Sequence, residues 1–378
     1  MSFSFSFSGD DIQDTEGDER VSPVGTSAHT HQQQQSPTAE PASKASAFPV
    51  QGKPLLPALH HDLDSMLAKL PSQVAYSTLT VDLDGQGTIT LPRRELWDVR
   101  VQLMAEEDNQ DEDAPELEPG LGNHDVKTGI YEGGFKSWES SVDMVKVLAS
   151  EGFSEALAKG PCRVIELGCG TGLPSLALFQ WASEMVSAGQ QVQLELVLAD
   201  YNPTVLYLVT LPNLLISWAI QHRETRPLLQ EALSSEGELE ILPELRDAFK
   251  NFLSQSNISI SFCSGAWSPE FVDLIYTSAA HPKPADDLQT LILGAETIYS
   301  PYALASFSDT VVAILEREKT QRPNGKAAAL VAAKKLYFGV GGSLDDFVTR
   351  MTELGLLVDA IREETEGVRR AVVRCVAS

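Results

Sequence analysis

From about residue 128 onward the sequence predicts an α/β fold: a seven-stranded, mostly parallel sheet with helices on both faces, its last strand antiparallel, preceded by an N-terminal extension. Three observations carry this reading. Short apolar runs alternate with amphipathic stretches of helical length. A glycine-rich turn, Gly168-Cys169-Gly170-Thr171-Gly172, stands directly between the first such run and a helical stretch. The last two runs are separated only by REETEGVR, too short for a parallel crossover, so they must pair antiparallel.

The expected strands are residues 163–167, 194–199, 258–263, 290–293, 328–333, 356–361 and 370–376. Between the second and third lies a long stretch, of which 221–255 reads as a polar helical insertion. Residues 1–50 are rich in Ser, Gln and Pro and lack the clustered apolar side chains that offset ordering entropy, so a disordered tail is expected. Alternating Phe3, Phe5 and Phe7 are the one feature there that suits an edge strand. Residues 51–127 form the extension: 75–104 alternate apolar and polar residues around an Asp84-Gly85 turn signal, giving a small strand-rich flap, and 106–118 are an acidic linker. The remainder, 128–378, is one domain.

Composition narrows the function. Apolar residues make up 43% and charged residues 21%, a globular balance. With 28 Lys+Arg against 53 Asp+Glu, the net charge is −25, which repels phosphate and attracts basic partners. No direct nucleic-acid binding is expected, and no membrane span. Cys162, Cys169, Cys263 and Cys375 form no CxxC pair, so neither a disulfide framework nor a cysteine metal site is indicated. None of the seven histidines clusters at metal spacing, and His60-His61 reads as surface. A soluble monomer of the cytoplasm and nucleus is expected.

The glycine turn follows Val164-Ile165-Glu166-Leu167. Glycine at 168, 170 and 172 lets the backbone turn tightly against a ligand. The spacing is not the dinucleotide G-x-G-x-x-G, and no Gly-Lys-Ser/Thr follows to cradle phosphate. Glu166, beside the turn, suits a cationic or amino-bearing ligand, and S-adenosylmethionine carries both groups; a purely structural turn is the alternative. Asp200 ends the second strand, where an acceptor can take both ribose hydroxyls of a nucleoside, or else support the cap that Asn202-Pro203 provides for the next helix. Trp267, after the third strand, either packs on adenine or fills the core.

The glycine turn, Asp200-Tyr201-Asn202 and the strand order resemble the class I S-adenosylmethionine-dependent methyltransferases, whose sheet is Rossmann-like, and the resemblance implies cofactor contacts at Gly168, Gly170, Gly172, Asp200 and Asn202. More specifically, Gly129-Ile130-Tyr131-Glu132-Gly133-Gly134-Phe135-Lys136-Ser137-Trp138-Glu139, Val209-Thr210-Leu211-Pro212-Asn213, Glu296-Thr297-Ile298-Tyr299 and Tyr337-Phe338-Gly339-Val340-Gly341-Gly342 resemble the protein-histidine N-methyltransferases that modify a large-subunit ribosomal protein, and the MSFSFSF start is similar too. The likeness spans about 128–376. It departs in the 221–255 insertion and at Ala295, where the family pattern suggests a polar residue. The resemblance implies S-adenosylmethionine as cofactor, a basic ribosomal protein as partner and the tele nitrogen of a histidine as acceptor. It also implies that Trp138 and Glu139 close over the methionine end of the cofactor; Trp138 as an anchor of its own helix is the alternative.

Methyl transfer to imidazole needs no metal, because neutral histidine is already a nucleophile near pH 7. It needs alignment and an acceptor that fixes the tautomer and offsets the developing charge. Glu296, just past the fourth strand, is the candidate for that acceptor, with a helix-capping role as the alternative. Tyr299 either lines the acceptor pocket or is an ordinary buried tyrosine, and the 338–342 loop lies at the same edge. Two further readings remain open on the residues alone: a protein-lysine methyltransferase, in which Glu296 holds an ammonium, and an inactive cofactor-binding chaperone of a basic protein.

Overall fold

A computed structural model describes residues 54–108, 133–277, 287–339 and 341–378, together with Pro49 and Gly52. The expectations for Phe3, Phe5 and Phe7, most of the 1–50 tail, most of the acidic linker and the start of the Gly129–Glu139 block fall outside them.

Among the described residues, eight strands form the main sheet: β1 (Leu59–His61), β4 (Cys162–Leu167), β5 (Leu194–Asp200), β7 (Ile258–Ser264), β8 (Gln289–Ala295), β9 (Lys326–Lys334), β10 (Leu356–Glu364) and β11 (Arg370–Ala377). Their order is β1-β7-β5-β4-β8-β9-β11-β10. The five central strands β7, β5, β4, β8 and β9 are parallel, while β11 runs antiparallel to both β9 and β10. The seven expected strands are all present. The eighth, β1, was not expected: it pairs antiparallel with β7, His60 opposite Cys263 and His61 opposite Phe262. The His60-His61 pair is therefore an edge strand rather than mere surface, and His61 Nε2 sits 2.7 Å from Ser264 Oγ.

Both faces of the sheet are covered, which is why its strands are near-continuous apolar runs. Successive residues of β4 point to opposite sides. Val164 joins a core with the helices Glu139–Ser150, Leu173–Ser187, Leu211–His222 and Pro243–Gln255, whereas Ile165 and Leu167 join a second core with Pro269–Thr277, Pro301–Gln321 and Leu344–Glu353. The helical stretch Pro203–Thr225 is long and apolar enough to cross a membrane, but 94% of its most apolar 18-residue window is buried inside the protein, where it serves as a core helix. At the N-terminal end of β4, buried Arg163 pairs with Glu195 at 2.8 Å, and Glu318 gathers Arg163, Arg322, Tyr276 and Thr290. These charges pin the end of the sheet away from the glycine turn.

The Asp84-Gly85 turn joins β2 (Gln73–Asp82) to β3 (Thr88–Arg94) in register Tyr76 to Arg94. A third strand, β6 (Glu238–Glu240), comes from the 221–255 stretch and pairs with β2. That stretch is thus not simply a polar helical insertion. It ties the flap to the main fold, and its helix Pro243–Gln255 buries Leu245, Phe249, Phe252 and Leu253, with Phe249 5.4 Å from the Trp218 ring.

Candidate active site

A cavity of about 280 Å³ opens at the C-terminal ends of β4, β5, β7 and β8. This is where an open parallel sheet binds ligands, at the point where strand order reverses. Its floor is the glycine turn. Gly168 has φ 67°, and a Cβ there would come 2.8 Å from Thr297 Cγ2. Gly170 has φ 51°, and a Cβ would stand 3.1 Å from the Gly134 carbonyl. Only glycine keeps this turn in shape and leaves space above it.

Asp200 is 7% exposed and anchors the turn: Oδ2 accepts from Gly170 N at 2.9 Å and Oδ1 from Asn202 N at 3.1 Å. Burial raises its pKa to about 6, against those backbone bonds. Glu166 also reaches the cavity wall, but its carboxylate is held by Ser175 N at 3.0 Å and by Ser175 Oγ at the start of the helix Leu173–Ser187. Burial lifts it to about 7. Trp267 lines the opposite wall, its ring 5.3 Å from Phe307.

The chain before β1 closes one side. Ala266 N donates to the Leu56 carbonyl at 3.0 Å, and Leu56 N to Tyr201 Oη at 3.2 Å. Gly265 makes this possible: a Cβ on it would fall 2.1 Å from the Pro57 carbonyl. Pro49 and Leu55 line the cavity, so a boundary at residue 50 cuts through the site.

At the mouth, Glu296 follows β8 with φ 59°, a left-handed conformation that costs a non-glycine residue about 1–3 kcal/mol. It is not a helix cap, since Ser300 caps Pro301–Gln321. Instead its carboxylate accepts from Ser140 Oγ, in the first turn of Glu139–Ser150, and stands beside the Tyr337 phenol. Burial and this neighbouring charge push the Tyr337 phenol well above its ordinary range. Tyr299 lines the same wall, raised to about 12 by burial. Lys334 Nζ stands 5.1 Å from the Trp138 ring centroid, and Trp138 is 41% exposed at the rim.

Trp138, Glu166, Gly168, Gly170, Asp200, Trp267, Glu296 and Tyr299 therefore all meet at one cavity. Three residues read as cofactor contacts do not line it. Glu139 turns away to Arg370, 3.1 Å distant, because Glu139 and Asp143 share one helix face opposite β11. Gly172, φ 68°, takes the N-cap position of Leu173–Ser187, and Asn202 that of the next helix. Ser140, Thr297 and Tyr337 were not singled out as site residues, although all lie within or next to the sequence blocks that carry the resemblance.

No family model matches the chain. Histidine protein methyltransferase 1 of Schizosaccharomyces pombe is 34% identical over 331 residues, 85% of this chain and 87% of its own length. The protein of the same name from Saccharomyces cerevisiae is 34% identical over 359 residues, 92% and 89% of the two chains. The chain belongs to the histidine protein methyltransferase 1 family. It is a methyltransferase that uses S-adenosylmethionine to methylate histidine in a protein, so a lysine acceptor and an inactive chaperone, both open on the residues alone, give way. A more distant relative, from Bos taurus, is 28% identical over 250 residues, 66% of this chain and 56% of its own. Among solved structures, the rRNA methyltransferase aviRa from Streptomyces viridochromogenes (15% identity, 65% of this chain and 96% of that one, TM-score 0.32) and a magnesium protoporphyrin IX methyltransferase from Synechocystis with bound SAM (11%, 64% and 86%, TM-score 0.26) overlay loosely. The fold assignment rests on the strand order itself.

The residues fit the cofactor. The turn leaves the space a Cβ would fill, and two buried polar atoms on cavity-lining residues, Trp267 Nε1 and Thr297 Oγ1, have no partner among the described residues. Unpaired buried polar groups are rare in folded proteins, and these two belong to residues that line the cavity. Asp200, Gly168, Gly170 and Trp267 would hold the nucleoside end, with Trp138 at the rim of the methionine end.

Proposed function

We propose that this enzyme methylates the tele nitrogen (Nε2) of a histidine in a large-subunit ribosomal protein, and that it does so as a monomer in the cytoplasm and nucleus. The motif blocks at Trp138, Asn213, Glu296 and Tyr337 support the ribosomal target, and a net charge of −25 suits a basic substrate. The observation that carries the acceptor chemistry is the Glu296 carboxylate, held at the cavity mouth by the Ser140 hydroxyl.

S-adenosylmethionine, when bound, supplies a methyl group on a cationic sulfonium. The protein supplies orientation. Glu296 accepts the N–H of one imidazole nitrogen, leaving the lone pair of the other facing the cavity. Its negative charge then offsets the positive charge that grows on the ring, and the ring's proton leaves towards the same carboxylate. The Ser140 hydroxyl keeps that carboxylate from rotating. Tyr299, whose pKa of about 12 keeps it neutral, closes the wall without adding a competing charge.

The test is mass spectrometry of ribosomal proteins from cells lacking this protein, with amino-acid analysis of the affected peptide. The proposal expects the loss of one tele-methylhistidine from a large-subunit protein. Loss of pros-methylhistidine, or of a mark on a non-ribosomal protein alone, would overturn it.

A further inference from the structure

The N-terminal flap and the cofactor turn are joined by one buried side chain. Asn213, 1% exposed, sits in the first turn of Leu211–His222. Its Oδ1 accepts from the backbone N–H of Arg94, the last residue of β3, at 2.7 Å, and its Nδ2 donates to the carbonyl of Thr171 in the glycine turn at 2.9 Å. Three residues earlier, on the same helical face, Thr210 Oγ1 donates to the Gly170 carbonyl at 2.6 Å. Two consecutive carbonyls of the turn are therefore held from one helix, and fixing a carbonyl fixes its peptide plane.

The backbone explains how that helix comes to present these two side chains. Pro212 has no N–H, so the Leu208 carbonyl lacks its donor one turn later, and residues Leu206–Thr210 wind as a π-helix. The orphaned carbonyl is taken by Arg94, whose Nη1 donates to Leu208 O at 2.9 Å. Its Nε donates to Asp98 at 2.7 Å and its Nη2 to Gln102 at 2.8 Å, so each guanidinium nitrogen of this residue, 4% exposed, has an acceptor. One residue of the flap thus mends the irregular helix with its side chain and engages Asn213 with its backbone.

We propose that Asn213 is a positioning residue for cofactor binding, and that through it the docked flap sets the peptide planes of the Gly170-Thr171-Gly172 turn. The flap is on this account part of the binding site, although none of its residues lines the cavity. The inference rests on the cavity being the cofactor site, and binding to the wild-type chain, measured first, tests that premise separately.

The experiment titrates S-adenosylhomocysteine into the full chain by calorimetry, comparing wild type with Asn213→Ala and Leu91→Ala. Leu91 is fully buried on β3, and its truncation loosens the flap without touching the turn. Asn213→Ala should weaken binding roughly tenfold or more, the scale of a buried hydrogen-bonding group left unpaired. Leu91→Ala should weaken it in the same direction. A folded Asn213→Ala chain with wild-type affinity would overturn the proposal, whatever its melting temperature. Since either variant can fail to fold, a wild-type measurement stands beside them: amide hydrogen exchange with and without S-adenosylhomocysteine. Coupling is reciprocal, so bound ligand should slow exchange at the Arg94 amide more than in the β10–β11 pair at the far edge of the sheet. Equal slowing in both places would contradict the proposal.

Discussion

The hydroxyl of Ser140 donates to the carboxylate of Glu296, so a residue in the first turn of Glu139–Ser150 fixes the acid that follows β8. Both residues are anchored in turn: Glu296 N–H donates to the Ala332 carbonyl at 3.0 Å, and Ser140 is fully buried in its helix. With Ser140 Oγ on the carboxylate, the acid is set before any substrate arrives, which is how preorganised charge contributes to catalysis.

If Ser140 acts by holding Glu296, Ser140→Ala should lower turnover roughly tenfold or more while leaving cofactor affinity within about twofold, since one charge-assisted hydrogen bond is lost. Steady-state kinetics beside a cofactor titration checks this. A loss of affinity equal to the loss of rate would place Ser140 in the cofactor shell instead.

The glycine turn predicts a loss of binding with the fold kept. Gly170→Arg forces a long side chain into the cavity from a position already 3.1 Å from the Gly134 carbonyl, and should abolish S-adenosylhomocysteine binding in a chain whose circular dichroism is unchanged. Asp200→Ala removes an acceptor of two backbone N–H groups and should weaken binding by about 1.5–3 kcal/mol. Normal affinity in either folded variant contradicts the assignment of this turn.

The buried acid beside the turn gives a pH dependence. Glu166 titrates at about 7 in the folded chain, because of burial, against roughly 4.3 when unfolded. Between those values the folded state holds the extra proton, so this group's contribution to stability falls as pH rises through the window. Glu166→Gln cannot ionise. The melting temperature of the variant minus that of wild type should therefore become more positive between pH 5 and pH 8 in the absence of cofactor. A difference that stays constant across that range would show that Glu166 does not titrate there.

The sheet was legible because its strands are buried on both faces and read as unbroken apolar runs, and the antiparallel end because eight residues cannot hold a crossover helix. Strand β1 was not legible. Its Leu59-His60-His61 carries no apolar alternation and is defined by pairing with β7, a contact some 200 residues away in the chain. The same holds for β6, three residues whose strand character comes from β2. Within the site, chain position located Glu296, Asp200 and the glycines at the strand ends, but not the direction of side chains on a helix. Glu139 and Ser140 are neighbours in sequence and diverge by about 100° around the helix axis, so one meets Arg370 and the other Glu296. Asn213 was visible as part of a motif; its role needs the flap and the turn together in space.

The central claim is that Glu296 orients and electrostatically supports the acceptor imidazole. Glu296→Gln keeps the shape and a hydrogen-bonding amide but removes the charge. In a single-turnover methylation assay at saturating protein substrate, run beside a cofactor titration, the account predicts a rate lower by roughly 10² or more with S-adenosylmethionine affinity within a few-fold. Wild-type turnover in the variant, or a loss of rate matched by a loss of cofactor affinity, would contradict it.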